Sequence, residues 1–558
     1  MSMRKLTPLI VGLTAVALVA GCGSSGTADV KGSGDAAAAG QTLTIGMPNG
    51  SQTNNSNPFM NTSSAQSLGY AWMIYEPLAQ VNAVRPADDP TPWLASEWTW
   101  NEDFTSLTLT VRDGVTWQDG KDLTADDVAF SFSIRKDNPA LNADALPYGE
   151  ITTADNTVTV TFTASQFVNQ TKVLNLFVVP KHIWSAIADP TTDLNQEPVG
   201  TGPYTLKTWT PQAATLTPND AYWGGKPPVP ELRYTSYNDN NALTTALVNG
   251  DAQWGWTFIP DFENVYVAKD PDHNAYWYPA GLGIDVLYLN NETAPFDDVA
   301  VRQAVNLVID REQIHTQATS SVFPQLENPT GIPEPAGTEF ISAEYAGETL
   351  TPDVDAAKKI LADAGYTLDG ETLTDPSGEP VTFSLVDPAG WSDYLTGLQI
   401  VADAVKPLGI TATVETMNAD AWFAAIANGE FQASMHWTNS GSTPWDMYSN
   451  MMDGAQYVPL GEKANWNFGR FSDEGATQAL ADFATSADPA VRADAMDRVQ
   501  KVFVEQVPAI AMVGRPIAAE FSTKYWTGWP SEDDPYATPQ ATMPAASQIV
   551  MNLKPATD

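Results

Sequence analysis

The sequence predicts a mixed α/β fold divided into several domains. Strand-like alternation and helix-like spacing of apolar residues follow one another along the chain, separated by loops rich in Pro, Asn and Gly. The length of 558 residues corresponds to about three domains at roughly 150 residues each. With 43% hydrophobic residues, the chain can bury a sizeable core.

Two segments carry the clearest strand pattern. Residues 43–47 and 107–111 alternate apolar with polar side chains, and in the second segment one face is apolar while the other carries hydroxyl groups. Side chains of a strand point alternately to its two faces, so this alternation is typical of half-buried sheets. Both segments are predicted to be strands.

Three segments carry helix signals. Residues 298–314 place apolar side chains at helical spacing. A second helix is predicted from an N-cap at Thr351 to a left-handed C-cap at Gly365. A third is predicted from the cap Asp488 until Pro508 ends it.

The composition excludes several functions. The chain has 27 Lys and Arg against 67 Asp and Glu, a net charge of −40, whereas nucleic-acid binding depends on basic residues that neutralise phosphates. Its one Cys cannot form an internal disulfide or a Cys cluster for metal. The four His are scattered without metal-ligand spacing, so we predict no metal site and no cofactor. They are His182, His273, His315 and His436.

The N-terminal region has the pattern of an export signal. Arg4 and Lys5 precede a largely apolar run that is too short to span a bilayer. Cys22 follows small residues at the expected cleavage point, which resembles the lipobox of bacterial lipoproteins. Residues 1–22 are therefore predicted to be a lipoprotein signal peptide and 23–41 a flexible tether. The mature protein is predicted to be extracytoplasmic and anchored to the cell membrane through lipid on Cys22.

A series of short strings, in order and over most of the mature chain, resembles the family 5 extracellular solute-binding proteins of bacterial ABC importers. The strings are Tyr75–Leu78, Trp93–Trp98, Leu109–Gly120, Leu123–Val128, Gly200–Tyr204, Asn219–Trp223 and Pro295–Ala304. Leu109–Gly120 contains two Asp-Gly turn pairs and Gly200–Tyr204 marks a sharp chain entry, and we assign most of the strings to the scaffold.

The resemblance implies a two-lobed periplasmic-binding-protein fold of type II, the venus-flytrap arrangement, with an extra inserted domain. The first lobe would comprise 42–77, 199–283 and 515–558, the inserted domain 78–198, and the second lobe 284–514. The lobes would close on a ligand by torsional changes where the chain crosses between them. The implied partners are an ABC permease and its ATPase, and the protein is expected to act as a monomer and not as an enzyme.

The ligand is not fixed by the resemblance, because relatives bind peptides, oligosaccharides or nickel complexes. Dipeptide-binding relatives anchor the ligand's amino terminus with an Asp in a Trp-Thr-Gly-Asp-x-Gly-Asp-Pro segment. Here Ser440 stands at that position and Thr443 at the second Asp position, while Asp446 lies two residues past the Pro. The charged amine anchor is therefore predicted to be missing from its usual position, where neutral groups stand. Asp446 could stand in for it or could cap the helix that follows.

Neutral hydrogen-bonding groups beside aromatic rings favour a sugar, whose C–H faces stack on indole. The Trp-rich segments resemble those of the cellobiose and cello-oligosaccharide binders of the family. The predicted ligand-binding residues are Trp254, Trp256, Trp391, Trp437, Asn439, Ser440, Asp446, Trp466 and Asn55. We expect at least one member of the Trp254 and Trp256 pair to belong to the core, because a strand face can point there equally well.

Two alternatives stay open at this point. An oligopeptide receptor on the same fold is the first, and it differs in requiring the free amino terminus of its ligand. A glycan hydrolase is the second, and it would need two carboxylates roughly 5–10 Å apart. No string of the form Gly-x-Ser-x-Gly or His-Glu-x-x-His occurs to support a catalytic role.

Overall fold

The computed structural model describes residues 42–60, 62–85, 88–486 and 488–556. Its strands form three main sheets with helices packed around them, which confirms the mixed α/β fold. The predicted signal peptide, the tether and Cys22 lie outside the described residues. Within the described ranges, no helix combines the length and apolar character needed to cross a bilayer.

The largest sheet has seven strands and is called the first lobe with the segments packed on it. Its central strand is Leu43–Met47, which pairs in parallel with Leu232–Ser236 and Trp254–Gly255 and confirms the predicted strand. Leu43 and Ile45 have no exposed surface, because this strand lies inside the sheet and under helices. In spatial order the strands are Asn274–Trp277, Ala519–Ser522, Trp254–Gly255, Leu43–Met47, Leu232–Ser236, Ala213–Pro218 and Tyr204–Thr210.

The second sheet has five strands and defines the second lobe. Every residue of its strand Ile284–Leu289 is buried, and alternate side chains enter two separate hydrophobic clusters. Burial on both faces explains why Asp285 is the one charged residue of this strand among aliphatic and aromatic ones. In spatial order the strands are Thr411–Met417, Thr382–Pro388, Ala433–Trp437, Ile284–Leu289 and Ala509–Gly514.

The third sheet has four antiparallel strands and defines the inserted domain. Strand Ser106–Val111 buries Leu107, Leu109 and Val111 against helix Ala125–Asp137 and leaves Thr108 exposed, as its alternation predicts. In spatial order the strands are Ala95–Trp100, Ser106–Val111, Thr157–Phe162 and Tyr148–Ala154.

Short paired strands and helices complete the described chain. The two-stranded pairs are Ala79–Gln80 with Thr91–Pro92, Thr367–Asp369 with Thr372–Thr374, and Trp526–Thr527 with Lys554–Pro555. The helices of eight or more residues are Ala125–Asp137, Asn240–Asn249, Val299–Val308, Val354–Asp363, Ser392–Ala404, Ala419–Asn428, Trp445–Met452, Glu474–Thr485 and Pro489–Gln506. Shorter helices are Ser64–Leu68, Ala71–Ile74, Gln170–Leu174, Lys181–Trp184, Phe262–Val265, Arg311–Gln313 and Ala546–Asn552.

The third predicted helix is confirmed, since the Asp488 side chain accepts from the Ala490 amide and the helix runs over Pro489–Gln506. The first is wrong as a single helix. The helix Val299–Val308 ends there because the Arg311 guanidinium donates to the carbonyl groups of Asn306 and Ile309, at 2.6 and 3.0 Å. The Asp310 side chain then caps a new turn.

The N-cap predicted at Thr351 is also wrong. The helix begins at Val354, and the Asp353 carboxylate accepts from the Ala356 amide at 2.8 Å. A carboxylate is the stronger acceptor for the exposed amides of a first turn, and its charge interacts favourably with the helix dipole. Gly365 lies just past the end of this helix with φ +90°, the left-handed conformation expected there.

A buried carboxylate joins the first lobe to the inserted domain. Glu76 has no exposed surface and accepts hydrogen bonds from the Trp93 indole at 2.7 Å, the Tyr222 hydroxyl at 2.7 Å and the Trp223 indole at 3.0 Å. Burial raises the pKa of Glu76, while these hydrogen bonds act in the opposite direction. Because its donors come from both sheet systems, Glu76 fixes their relative position.

The chain passes from the seven-stranded to the five-stranded sheet between Trp277 and Ile284 and returns between Gly514 and Ala519. The Arg515 amide donates to the Gly283 carbonyl at 2.9 Å, so the two crossings are tied together. Beside them the Arg515 guanidinium lies 2.8 Å from Asp285, which also accepts from the Tyr394 hydroxyl at 2.9 Å. The strands of each main sheet come from the segments that the sequence analysis assigned to the first lobe, the second lobe or the inserted domain. The exact boundaries of these three parts stay a prediction.

Candidate functional site

A cavity of about 400 Å³, the first cavity, lies where the two lobes and the inserted domain meet. The first lobe contributes Pro58, Trp72 and Thr538, among others, and the second lobe contributes the segment 439–442. The inserted domain supplies the residues around 141–144 and 171–177. A volume of this size is in the range of small-molecule sites, which are commonly found between domains.

An ion pair crosses the first cavity. The Lys172 ammonium, from helix Gln170–Leu174 of the inserted domain, lies 2.6 Å from the Asp446 carboxylate of the second lobe. The side chains are 22% and 9% exposed. The ammonium also lies 4.9 Å from the ring centroid of Trp445. Because helix Gln170–Leu174 belongs to the inserted domain and helix Trp445–Met452 to the second lobe, this pair connects the two.

A second cation in the wall is held by backbone carbonyl groups. The Arg135 guanidinium donates to the carbonyl groups of Ser131 and Phe177 and stacks over the Phe59 ring at 4.6 Å. Burial lowers the pKa of Arg135 to about 10, so the group stays charged at neutral pH. Its fixed hydrogen bonds make it part of the wall of the first cavity.

Aromatic rings form one side of the first cavity. Trp72 and Phe177 stack with ring centroids 3.9 Å apart, and the Trp72 indole donates to the Thr542 carbonyl at 2.9 Å. This hydrogen bond fixes the orientation of the indole ring while part of its surface borders the cavity. The arrangement offers a rigid apolar face to a bound molecule.

Uncharged polar groups complete the wall. Asn175, Asn439, Ser440 and Ser442 all border the first cavity. The buried side-chain oxygen of Asn175 has no hydrogen-bond partner within the described part of the chain. A buried acceptor without a partner carries a cost for the folded state.

A second cavity of about 690 Å³ adjoins the first one between the inserted domain and the second lobe. Both cavities are bordered by Thr171, Ser442 and Asp446, so the ion pair lies where they meet. The Arg492 guanidinium also borders the second cavity, 4.8 Å from the Phe167 ring and 4.7 Å from the Phe483 ring. Arg492 therefore makes a second contact between the inserted domain and the second lobe.

The three polar residues predicted in the second lobe border the first cavity: Asn439, Ser440 and Asp446. The Ser440 hydroxyl accepts from the Leu282 amide at 3.0 Å, next to the crossing at Gly283. Asn55, the predicted residue of the first lobe, is turned inward, and its oxygen accepts from the Asn57 amide at 3.0 Å. Asn55 therefore shapes the loop whose next residues, Pro58 and Phe59, border the cavity.

The predicted Trp residues lie away from the walls of these two cavities. Trp254 has no exposed surface, and its indole donates to the Pro539 carbonyl at 2.8 Å in the core of the first lobe. Trp256 stacks on Phe323 with ring centroids 5.8 Å apart. Strand Trp254–Gly255 is short, and both indole rings belong to the core.

Trp391, Trp437 and Trp466 are partly buried in an aromatic cluster of the second lobe. The Trp391 indole reaches across to the Pro48 carbonyl of the first lobe at 3.4 Å. Trp437 packs under the Arg515 guanidinium at 4.9 Å. This cluster therefore lies at the contact between the lobes, beside the crossings.

Among the residues of the first cavity that sequence reasoning missed are Trp72, Arg135, Lys172 and Phe177. Trp72 stands three residues before the recognised string Tyr75–Leu78, which is the one signal that marked its neighbourhood. Lys172 is a single cation on a short helix, and no local pattern distinguishes it from a surface Lys. Within the described residues, no group of three or more His, Cys, Asp or Glu side chains is placed to hold a metal ion.

Comparison with known proteins agrees with this architecture. The glutathione-binding protein GsiB of Shigella flexneri is 26% identical over 473 residues, which cover 79% of this chain and 85% of that protein. The mannohexaose-bound periplasmic oligopeptide-binding protein of Thermotoga maritima superposes with a TM-score of 0.84 at 24% identity, covering 93% of this chain and 99% of that one. AppA of Bacillus subtilis, in complex with a nonapeptide, gives 0.78 at 19% identity, covering 93% and 99%.

The family itself is shown by the sequence. The pattern described as bacterial extracellular solute-binding proteins, family 5 Middle, matches residues 89–458, more than half of the chain. Members of this family act outside the cytoplasm, where they bind solutes and deliver them to ABC permeases. The chain belongs to family 5 of the bacterial extracellular solute-binding proteins and is the substrate-binding protein of an ABC importer.

Proposed function

We propose that the protein captures a short, uncharged oligosaccharide of the cellobiose or cello-oligosaccharide type and releases it unchanged to the permease. One observation carries this proposal: the carboxylate that the second lobe presents to the first cavity, Asp446, is already neutralised by Lys172 at 2.6 Å. A peptide needs an unpaired carboxylate for its ammonium group, because a buried ammonium without a partner is costly.

The other walls support a sugar ligand. The fixed indole ring of Trp72 borders the same cavity as the amide and hydroxyl side chains of Asn175, Asn439, Ser440 and Ser442. Apolar C–H faces of a pyranose stack on such rings while its hydroxyl groups exchange hydrogen bonds with amides. Solved structures of this fold hold mannohexaose in one case and a nonapeptide in another, so the chemistry of the wall decides between the ligand classes.

Tryptophan fluorescence tests the proposal, because Trp72 borders the cavity. Titration with cellobiose and cello-oligosaccharides is expected to change the emission, and Trp72→Ala is expected to weaken binding by about 1–3 kcal/mol. Trp256→Phe, a change within the core, is the matched control and keeps the affinity. A response to mixed peptides without any response to sugars would overturn the proposal, and release of shorter sugars would indicate a hydrolase.

The second candidate ligand is an oligopeptide. It is favoured by the opposite charges that the cavity holds, since Lys172 and Arg135 are cations and Asp446 is an anion. A zwitterionic peptide that separated Lys172 from Asp446 would pair with both. Acetylation of the amino terminus would then abolish binding, whereas a sugar-binding protein shows no dependence on that group.

We also propose that the mature protein is a monomer attached to the membrane by lipid on Cys22. The residues before and around Cys22 support the lipid attachment through their likeness to a lipobox. Cys22→Ser is expected to release the protein from the membrane fraction into the medium. Mass spectrometry of the mature N-terminus would detect the acylated Cys directly, and size-exclusion chromatography with light scattering would measure the oligomeric state.

A further inference from the structure

The Lys172 ammonium occupies a site with the chemistry of an ammonium receptor. The Asp446 carboxylate lies 2.6 Å from it, and the Trp445 ring lies 4.9 Å from it. A carboxylate provides charge-assisted hydrogen bonds, and an indole face attracts a cation through its quadrupole. Both receptor groups belong to the second lobe, whereas the ammonium comes from the inserted domain.

The receptor groups are held independently of Lys172. Asp446 lies in the first turn of helix Trp445–Met452, and the Trp445 indole donates to the Leu480 carbonyl at 2.9 Å. The Asp446 carboxylate packs against Gly441, where an added Cβ would lie 1.9 Å from a carboxylate oxygen. The position of the carboxylate is therefore set by the second lobe itself.

The ammonium keeps its charge in this position. Burial lowers the pKa of Lys172, but the negative charges of Asp446, Asp144 and Asp453 outweigh burial and place the pKa above its ordinary value. The site therefore holds a full positive charge at neutral pH.

We propose that Lys172 is a specificity-determining residue that fills this ammonium site with a group of the protein's own. A ligand that carries a primary ammonium, such as an amino sugar or a peptide amino terminus, must displace Lys172 and leave it buried without a partner. Uncharged sugars bind without breaking the pair. This inference rests on the proposed function, since it names the ligands that the first cavity rejects.

Chemical rescue tests the ammonium site without using any sugar. Lys172→Ala removes the equivalent of propylammonium, which is therefore the probe. Propylammonium is expected to raise the thermal unfolding midpoint of Lys172→Ala at a concentration at least about tenfold lower than it needs for the wild type. In the double variant Lys172→Ala with Asp446→Asn, this difference should disappear. Lys181→Ala, which breaks an exposed pair with Asp126 at 3.0 Å, is the matched control.

Equal effects of propylammonium on Lys172→Ala, on the double variant and on the wild type would overturn the proposal. If Lys172→Ala does not fold, Lys172→Met keeps an unbranched stem without the ammonium and serves instead. Its affinities for the glucosamine dimer and for cellobiose are compared with those of the wild type. The ratio is expected to shift at least about tenfold towards the amine, and an unchanged ratio refutes the role of Lys172. A wild type that itself prefers the amine overturns this proposal too, whereas a wild type that binds neither sugar while the propylammonium rescue holds overturns the proposed function alone.

Discussion

Two carboxylates join the inserted domain to its neighbours in opposite ways. Glu76, at the contact with the first lobe, is fully buried and accepts from three uncharged aromatic donors. Asp446, at the contact with the second lobe, is paired with a single flexible cation beside two cavities. The first contact cannot separate without leaving several buried donors unsatisfied, whereas the second can exchange its partners for water.

The difference indicates which contact opens. The first lobe and the inserted domain are expected to move together as one body, and the second lobe to separate from both. A ligand that fills the first cavity then stabilises the closed arrangement through its contacts with all three parts.

The largest effect is expected from breaking the rigid contact. Glu76→Ala leaves the indole groups of Trp93 and Trp223 and the Tyr222 hydroxyl without their acceptor, which should cost about 3–5 kcal/mol of the free energy of unfolding. Urea unfolding followed by circular dichroism measures this change. A loss below about 1 kcal/mol would contradict the role of Glu76, since it is less than one buried donor is expected to cost.

A third buried carboxylate, Glu520, should make the free energy of unfolding depend on pH. Glu520 accepts from the Thr257 amide at 3.1 Å and from the Tyr278 hydroxyl, and burial raises its pKa from 4.5 to about 8. Between these values the folded protein binds more protons than the unfolded chain, so stability is highest below pH 4.5 for this group and falls as pH rises to 8.

The expected slope from Glu520 is at most about 1.4 kcal/mol per pH unit. The side chain of Glu520→Gln is uncharged at every pH, so this variant should lack the slope that Glu520 contributes. Unfolding midpoints of both proteins measured from pH 5 to pH 8 provide the test. Parallel curves for the wild type and Glu520→Gln would show that Glu520 is ionised in the folded state.

The Lys172–Asp446 pair, at the contact between the inserted domain and the second lobe, should show strong coupling between its two residues. Its loss should lower the free energy of unfolding by less than the loss of Glu76. Asp446→Asn and Lys172→Met each leave a charged group with no partner, whereas the double variant removes both charges. A double-mutant cycle on the free energy of unfolding is expected to give a coupling of about 1–3 kcal/mol. Small-angle X-ray scattering should show a larger radius of gyration for each single variant without ligand, and additive effects would mean that the pair does not hold the domains together.

The smallest effect is expected at Arg492. Its guanidinium lies between the Phe167 and Phe483 rings of the two domains, and Arg492→Ala should cost about 1 kcal/mol of the free energy of unfolding. Arg498→Ala, on the same helix with exposed acidic partners, is the control. If Arg492→Ala and Arg498→Ala lower the free energy of unfolding by the same small amount, the contact of Arg492 with the two rings adds no stability of its own.

Much of the fold followed from local patterns. Strand Leu43–Met47 and the helix capped by Asp488 lie where alternation and capping chemistry predict them. The break after Val308 could not be predicted, because the hydrophobic stripe continues through it and the cause is a contact of the Arg311 guanidinium. A helical spacing reports which face is buried and not whether a side chain interrupts the backbone hydrogen bonds.

The site was less predictable than the fold. Ser440 and Asp446 were predicted because a family segment marked them, and both border the first cavity. Trp254 and Trp256 were proposed because indole rings stack on sugar faces, yet both rings are enclosed in the core. An aromatic side chain carries the same sequence signal in a core as in a binding wall, and only the fold brings Trp72 and Lys172, a hundred residues apart in the chain, to one cavity.

The strand Ala519–Ser522 has a consequence for how the molecule is made. It lies inside the seven-stranded sheet, between Asn274–Trp277 and Trp254–Gly255, although it is synthesised more than two hundred residues after them. All strands of the four-stranded sheet at 95–162 are synthesised early. In the seven-stranded sheet, the edges of Asn274–Trp277 and Trp254–Gly255 that pair with Ala519–Ser522 stay unpaired until translation is almost finished. Export in an extended state, or a chaperone at these edges, would keep nascent molecules from aggregating during that interval.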